Sequence, residues 1–282
     1  MTTLITGATG TVGRHIARRL VELGQPVRAL TRDPDRAAFP PSVEAVAGDL
    51  NDVRSLDTVI AGVTAAHLIC FAGESYEPLP HGAELVEALE AAGTRRVTIL
   101  KGDTTTTPVE AAVARSSMEW TVLAPVEFMA NTLYWIPDIR NGHLIDGYLD
   151  TPSTVVHEAD IGDVAAHVLA EGGHHSETLW ITGPEALTGL ERAEIIQRVT
   201  GKQFVVTNLT PDEVHDQWRS AGFSEDDVKY MREMRTRPPR AAQVPQDTVL
   251  RLTGHAPRPF SEWVQEHQEW TNDFSSTADN SR

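Results

Sequence analysis

Ile5–Gly24 reads ITGATGTVGRHIARRLVELG, and its glycines decide the fold. Gly7, Gly10 and Gly13 recur at intervals of three, after a short β-rich run and at the mouth of a segment whose Val12, Ile16, Leu20 and Leu23 keep the period of an amphipathic helix. Each glycine has a reason. Gly7 permits a tight turn, Gly10 lets backbone approach a pyrophosphate, and Gly13 lets helix and strand pack closely. The backbone of Gly7, Thr9, Gly10, Thr11, Val12 and Gly13 is therefore the expected seat of an anionic dinucleotide, received by N–H groups and the positive end of the helix. Strand before and helix after are the context this pattern needs.

Outward from this loop, β-rich runs alternate with helical patterns. Strands are expected at Thr3–Thr6, Val27–Thr31, Val43–Ala47, Ala66–Phe71, Arg96–Lys101 and Trp120–Ala124. A helix is marked by Leu85, Val86 and Leu89. Right-handed crossovers turn that order into an α/β, Rossmann-type doubly wound parallel sheet. After Pro125 the rhythm changes. Strands are expected at Thr154–His157, Thr178–Thr182 and Phe204–Thr207, and helices at Ile161–Ala170, Leu190–Val199, Asp212–Ala221, Glu225–Met234 and Ser261–Trp270. The expected division is a dinucleotide-binding domain over 1–150, a smaller α/β substrate region over 151–273 interleaved with it, and a disordered tail over 274–282.

The chain of 282 residues carries a formal charge of −16, which opposes unspecific binding to nucleic acid or anionic membranes. Its one cysteine, Cys70, lies in the apolar run HLICF, so an internal disulfide is excluded and a reducing compartment fits. The start MTTLITGATG has no basic leader region, and no apolar run approaches the roughly 20 residues of a membrane span. A cytoplasmic location is expected.

The choice between nicotinamide dinucleotides is read at the end of the second strand, in VRALTRDP. An acidic residue there hydrogen-bonds a ribose 2′-hydroxyl, whereas an arginine pairs with a 2′-phosphate. Thr31 stands near the acidic position and Arg32 follows, with Arg28 and Arg36 nearby and Asp33 as the opposing signal. NADP(H) is favoured over NAD(H).

TGATGTVG, TRDP and then AGDLND at Ala47–Asp52 resemble an atypical short-chain dehydrogenase/reductase of the NmrA-like group. EWTVLAPVEFMANTL at Glu119–Leu133, ADIGDVAAHVLAEG at Ala159–Gly172 and the late LTGHAPRPFSEWV extend the resemblance over nearly the whole chain. The group includes redox-sensing regulators, quinone reductases and triphenylmethane-dye reductases. The resemblance implies that Asp49 and Leu50 lie against adenine, that Phe71, Ala72 and Gly73 line the nucleotide, and that Pro125 through Phe128 pass near the nicotinamide. Where the group commonly has Arg-Pro-Gly, this chain has Ala124-Pro125-Val126.

Most reductases of the wider superfamily use a Tyr-x-x-x-Lys pair, in which lysine lowers the tyrosine pKa and tyrosine delivers a proton. Tyr76, Tyr134, Tyr148 and Tyr230 are the four tyrosines, and none has a lysine four residues later. The segment Leu100–Ser117, LKGDTTTTPVEAAVARSS, stands where that pair belongs and contains no tyrosine. Three readings follow: hydride transfer with the proton from water or from the substrate's own hydroxyl, nucleotide binding without turnover as a redox sensor, or a non-redox step with retained nucleotide. The first is preferred, as a ketone or quinone reductase in secondary metabolism or xenobiotic reduction. No catalytic residue is assigned. Lys101 is expected to touch the nicotinamide ribose, Asp103 reads as a cap, and Glu110 fits an exposed helix face.

On the substrate side, Phe128, Met129, Tyr134 and Trp135 follow the sixth strand, while Trp218, Phe223 and Tyr230 sit on later charged helices. Phe128 is counted with the cofactor; Met129, Tyr134, Trp135, Trp218 and Phe223 are the expected contacts of a flat, apolar, aromatic small-molecule substrate. No metal site is expected: His174 and His175 lack further ligands at suitable spacing, and Asp160 and Asp163 read as helix-opening caps.

Overall fold

The computed structural model describes residues 2–72, 77–102 and 105–267. In chain order the elements are β1 (Thr2–Ile5), α1 (Gly13–Glu22), β2 (Val27–Thr31), β3 (Val43–Ala47), α2 (Asp57–Ile60), β4 (Val63–Ile69), β5 (Phe71–Ala72), β6 (Glu77–Pro78), α3 (Gly82–Ala91), β7 (Arg96–Leu100), α4 (Pro108–Val113) and β8 (Glu119–Pro125). They continue with α5 (Ile136–Arg140), β9 (His143–Gly147), α6 (Glu158–Glu171), β10 (Glu177–Ile181), α7 (Gly189–Thr200), β11 (Val205–Leu209), α8 (Pro211–Ser220), α9 (Glu225–Thr236), α10 (Thr248–Thr253) and α11 (Phe260–Glu266). The chain divides into two compact units: 1–125 with 158–181 and 247–256, and 126–157 with 182–246 and 257–282. The units alternate along the sequence, and residue 150, the expected cut, lies inside the second.

The first unit is built on a seven-stranded sheet of order β10-β8-β7-β4-β1-β2-β3. Every neighbouring pair is parallel, so the sheet is the doubly wound Rossmann type that the strand–helix alternation predicts. Because helices cover such a sheet on both faces, its central strands bury both sets of side chains. In β4, Ala66 and Leu68 join Leu4, Ile99 and Val122 in a core against Leu85, Val86 and Leu89 of α3. The alternate position His67 is buried, with Nδ1 bonded to Thr98 Oγ1 at 2.9 Å. Helices α1 and α6 approach closely at Gly162, where a Cβ would stand 2.6 Å from His15 Cβ.

The second unit has a core of Leu144, Ile196, Phe260 and Trp263, with the last two rings stacked at 5.7 Å. Its strands β9 and β11 form a separate parallel pair. The expected strand Thr154–His157 does not form. The neighbourhood makes only isolated bridges, Phe128 to Val156 and Ser153 to Leu187, and no ladder. Strand β9 was not expected. Helix α11 overlaps the expected Ser261–Trp270 but ends at Glu266, with His267 extended; residues 268–270 and the tail over 274–282 lie outside the described residues. Among the described residues no helix is long and apolar enough to cross a membrane.

Candidate functional site

Past β1 the chain turns at Gly7, whose φ of +61° is in the left-handed region. The Gly7 carbonyl accepts from Gly10 N at 2.9 Å, which closes the loop. A Cβ on Gly13 would stand 2.2 Å from the Gly7 oxygen and 2.8 Å from Ala8 Cα, so only glycine allows this backbone contact. Thr9 and Gly10 are exposed, Thr11 is half-buried and Val12 is buried. Val12 holds the cap position of α1 without a side-chain hydrogen bond, and no acidic residue stands in the first turn. Helices α4, α7, α8 and α9 are each closed by a Thr or Ser capping box. At α1 the backbone donors and the positive helix end are not met by any such side chain, which fits a diphosphate.

At the end of β2 the two opposing signals separate. Asp33 Oδ1 accepts from Arg36 N at 3.3 Å and caps the turn Pro34–Arg36, with Arg36 Nε 3.9 Å from its other oxygen. Arg28 is tied to Glu44 at 2.8 Å and to the carbonyls of Val59 and Ala61. Arg32 is exposed, with no carboxylate in ion-pair reach among the described residues. Past β3, Asp49 accepts from Asn51 N at 2.9 Å, and Leu50 packs on the core of the first unit. Phe71 packs there too, with its ring 2.7 Å from where a Gly102 Cβ would be. The Ala72 backbone pairs with Glu77, and Gly73 lies outside the described residues. Pro125 closes β8 in the first unit, while Phe128, half-buried, belongs to the second.

The threonine segment is structural where it is described. Thr107 caps α4: its Oγ1 accepts from Glu110 N, and Glu110 Oε2 accepts from Thr107 N at 2.8 Å. Glu110 Oε1 takes Lys101 Nζ at 2.8 Å, and the Thr105 carbonyl accepts from the same lysine at 3.3 Å. One expectation changes: Glu110 is not on an exposed face, since its side chain is only 10% exposed. The Lys101 charge is matched by Glu110. Burial pushes the Glu110 carboxyl up, but Lys101 and Thr107 outweigh it and hold it below the usual range. Asp103 and Thr104 lie outside the described residues. Beside Thr107, buried Cys70 has its thiol pushed up to about 11 by desolvation, which makes it inert.

The second unit contains a cavity of about 270 Å³ walled by Tyr134, Trp218, Tyr230, Met231 and Met234, with Asp146, Gly147 and Arg235 as its polar part. Trp218 is stacked on Tyr148 at 6.2 Å. Asp146 is a hub: it accepts from the Tyr134 hydroxyl, from Trp135 Nε1 at 2.8 Å and from Gly147 N at 2.7 Å. Arg192 lies 5.0 Å over the Trp135 ring and pairs with Glu127 at 2.9 Å. Burial alone raises the Glu127 carboxyl, yet the charges of Arg192 and Arg235 hold it below the usual range. Burial and the Asp146 charge push the Tyr134 phenol well above its ordinary value.

Tyr134 and Trp218 thus meet on one cavity wall. Met129 and Trp135 do not join them: at 0% and 2% exposure they are core residues of the second unit, which corrects their expected role as substrate contacts. Phe223 is 47% exposed and off the cavity wall. Sequence reasoning missed Asp146 and Arg235. The only local signal was the apolar Tyr230, Met231 and Met234 at helical spacing on the otherwise charged α9.

Helix α6 begins at Glu158, with Asp160 in its first turn, where an acid pairs with the helix dipole as expected, and Asp163 further in; both are buried. Asp163 accepts from His255 Nε2 at 3.1 Å and faces Arg19 Nε at 3.6 Å. Asp160, Asp163 and His255 bring possible ligand atoms within 4.8 Å of one another, at a spot where Arg19 already supplies positive charge. His174 bonds Glu177 at 3.0 Å, and His175 Nδ1 accepts from Trp120 N at 3.3 Å.

Residues 7–172, more than half of the chain, match the profile of the NAD(P)H-binding family. A curated relative, the (4-alkanoyl-5-oxo-2,5-dihydrofuran-3-yl)methyl phosphate reductase of Streptomyces griseus subsp. griseus, is 34% identical over 94% of this chain and 98% of that protein. Two solved structures share the fold. An NADPH-dependent quinone oxidoreductase from Escherichia coli, complexed with NADPH, superposes with a TM-score of 0.78 at 22% identity over 94% of this chain and 99% of that one. NmrA, a negative transcriptional regulator in complex with NADP, does so at 0.69 and 17% identity over 94% of each chain. Profile and relative together show that the chain belongs to the NAD(P)H-binding family.

Proposed function

We propose that the protein is an NADPH-dependent reductase of a bulky conjugated or aromatic carbonyl, a ketone or quinone, with the proton drawn from water or from the acceptor's own hydroxyl. The cavity of the second unit is the observation that carries the acceptor: three aromatic side chains and two methionines around about 270 Å³. A dry cavity of about 150 Å³ holds benzene, so this volume suits a fused bicyclic ring. When bound, the reduced dinucleotide supplies the hydride. The chain's own residues bind and orient. The glycine loop and α1 take the diphosphate, Arg32 pairs with the 2′-phosphate that distinguishes NADPH, and the aromatic wall stacks against a flat ring.

The missing tyrosine–lysine pair narrows the acceptor. A positioned acid contributes about 10²–10⁴-fold, so acceptors whose reduced form is a stabilised anion lose least. The compound in the Streptomyces relative's name carries a ring alkene with two carbonyls attached to one of its carbons, and hydride addition to the other carbon leaves an enolate spread over both oxygens. That chemistry supports extending the acceptor class to doubly activated enones. The missing pair also favours a second reading, a dinucleotide-sensing regulator without turnover. Purified protein with NADPH and a panel of naphthoquinones and aryl enones separates the two. Consumption of NADPH above the no-enzyme rate supports the reductase; tight NADPH binding with no consumption on any acceptor overturns it.

A further inference from the structure

The cavity wall carries one cation, Arg235, near the C-terminal end of α9. No carboxylate lies within ion-pair distance of its guanidinium among the described residues. The two acids whose charges act on it are Glu127 and Asp146. Glu127 is paired with Arg192 at 2.9 Å, and both Asp146 oxygens are taken by Tyr134, Trp135 and Gly147. Each acid is therefore satisfied elsewhere, while the guanidinium, in contact with the Tyr134 hydroxyl, keeps donors at the cavity. Tyr134 is the wall residue that resembles an acid most, but its proton is directed at Asp146.

We propose that Arg235 is the catalytic partner of the acceptor oxygen: it takes the negative charge that develops there, in place of a proton donor. This rests on the reading that the cavity holds the acceptor. When bound, the reduced dinucleotide would supply the hydride to the electrophilic carbon and would itself become oxidised. The π pair of the carbonyl, or of the conjugated alkene through the carbonyl, moves to oxygen as alkoxide, enolate or phenolate and is met by the guanidinium. A proton from water completes the product, so one proton is consumed per turnover. Arginine keeps its proton throughout, and its contribution is electrostatic stabilisation of the oxyanion. The substrate class follows: acceptors that become oxyanions are favoured over cationic imines and dyes, which become neutral.

The test compares wild type with Arg235→Met and Arg235→Lys on a neutral naphthoquinone and a neutral aryl enone. In Arg235→Met, kcat falls about 10²–10³-fold, KM stays within about threefold and the NADPH Kd is unchanged, which also shows that the first unit is intact; Arg235→Lys keeps part of the rate. A second readout needs no nucleotide. Bound 4-nitrophenol, whose absorbance reports ionisation, has its pKa lowered by about one unit in wild type and not in Arg235→Met. An unchanged kcat, a loss confined to KM, or equal nitrophenol pKa values in both proteins overturns the assignment. If wild type oxidises no NADPH with any acceptor, the reductase reading falls and takes this one with it; turnover by wild type with kcat retained in the variant removes Arg235 alone.

Discussion

Arg32 and Asp33 stand side by side at the end of β2 with opposite charge, and their hydrogen bonds assign them different work. Asp33 closes a turn with Arg36, whereas Arg32 has no carboxylate partner among the described residues. If Arg32 reads a 2′-phosphate, its loss removes a charge-assisted bond of about 1.5–3 kcal/mol. Arg32→Ala then weakens NADPH roughly tenfold or more by calorimetry and leaves NADH within about twofold; equal effects on both contradict the assignment. His67 makes a second prediction at this scale. Burial lowers its pKa from 6.5 to about 3, so the folded chain keeps it neutral. Below about pH 6.5 the unfolded chain takes up a proton that the folded one refuses, and stability falls by about 1.4 kcal/mol per pH unit as pH drops toward 3. Urea titrations between about pH 6 and 4 should show a flatter slope in His67→Gln than in wild type; parallel slopes contradict the cause. The glycines of the loop were legible because their contacts are local. Glu127 and Arg235 were not, because their charges meet only after folding.

The threonine run shows how an element absorbs an apparently catalytic segment. Thr107 and Glu110 close the N-terminus of α4 reciprocally, and Lys101 joins them through the same carboxylate. Thr107→Ala should cost about 1 kcal/mol in chemical denaturation and leave the NADPH Kd within about twofold; a large loss of affinity with stability intact would place the segment in the nucleotide site. The strands of the first unit were readable within a residue or two of most ends, because a buried parallel sheet makes continuous apolar runs. Strand β9 was not, since HLIDG is five residues long with glycine at its end and on its N-terminal side. The run TVVH misled in the opposite direction. Its β-branched residues favour extension, but a strand also needs a neighbour with a full ladder, and here only isolated bridges form.

At the scale of the whole chain, the glycine-rich start and the strand–helix alternation announce a dinucleotide-binding sheet. The return of 158–181 and 247–256 to the first unit does not show in any local pattern. It depends on β10 finding β8 and on Gly162 letting α6 pack on α1, contacts between distant segments. The aromatic cavity of the second unit has the same origin: its wall is drawn from the stretch after β8, from β9 and from α8 and α9. The central claim is that the protein reduces a conjugated carbonyl without a tyrosine acid. It is tested most directly by incubating it with NADPH deuterated at the transferable nicotinamide position and a naphthoquinone or aryl enone in ordinary water, then analysing the products by mass spectrometry and NMR. The account predicts consumption of the nucleotide and, for the enone, deuterium on the carbon that accepts hydride, with the new hydroxyl or α-carbon proton from water. NADPH bound but not oxidised in the presence of every acceptor would contradict it.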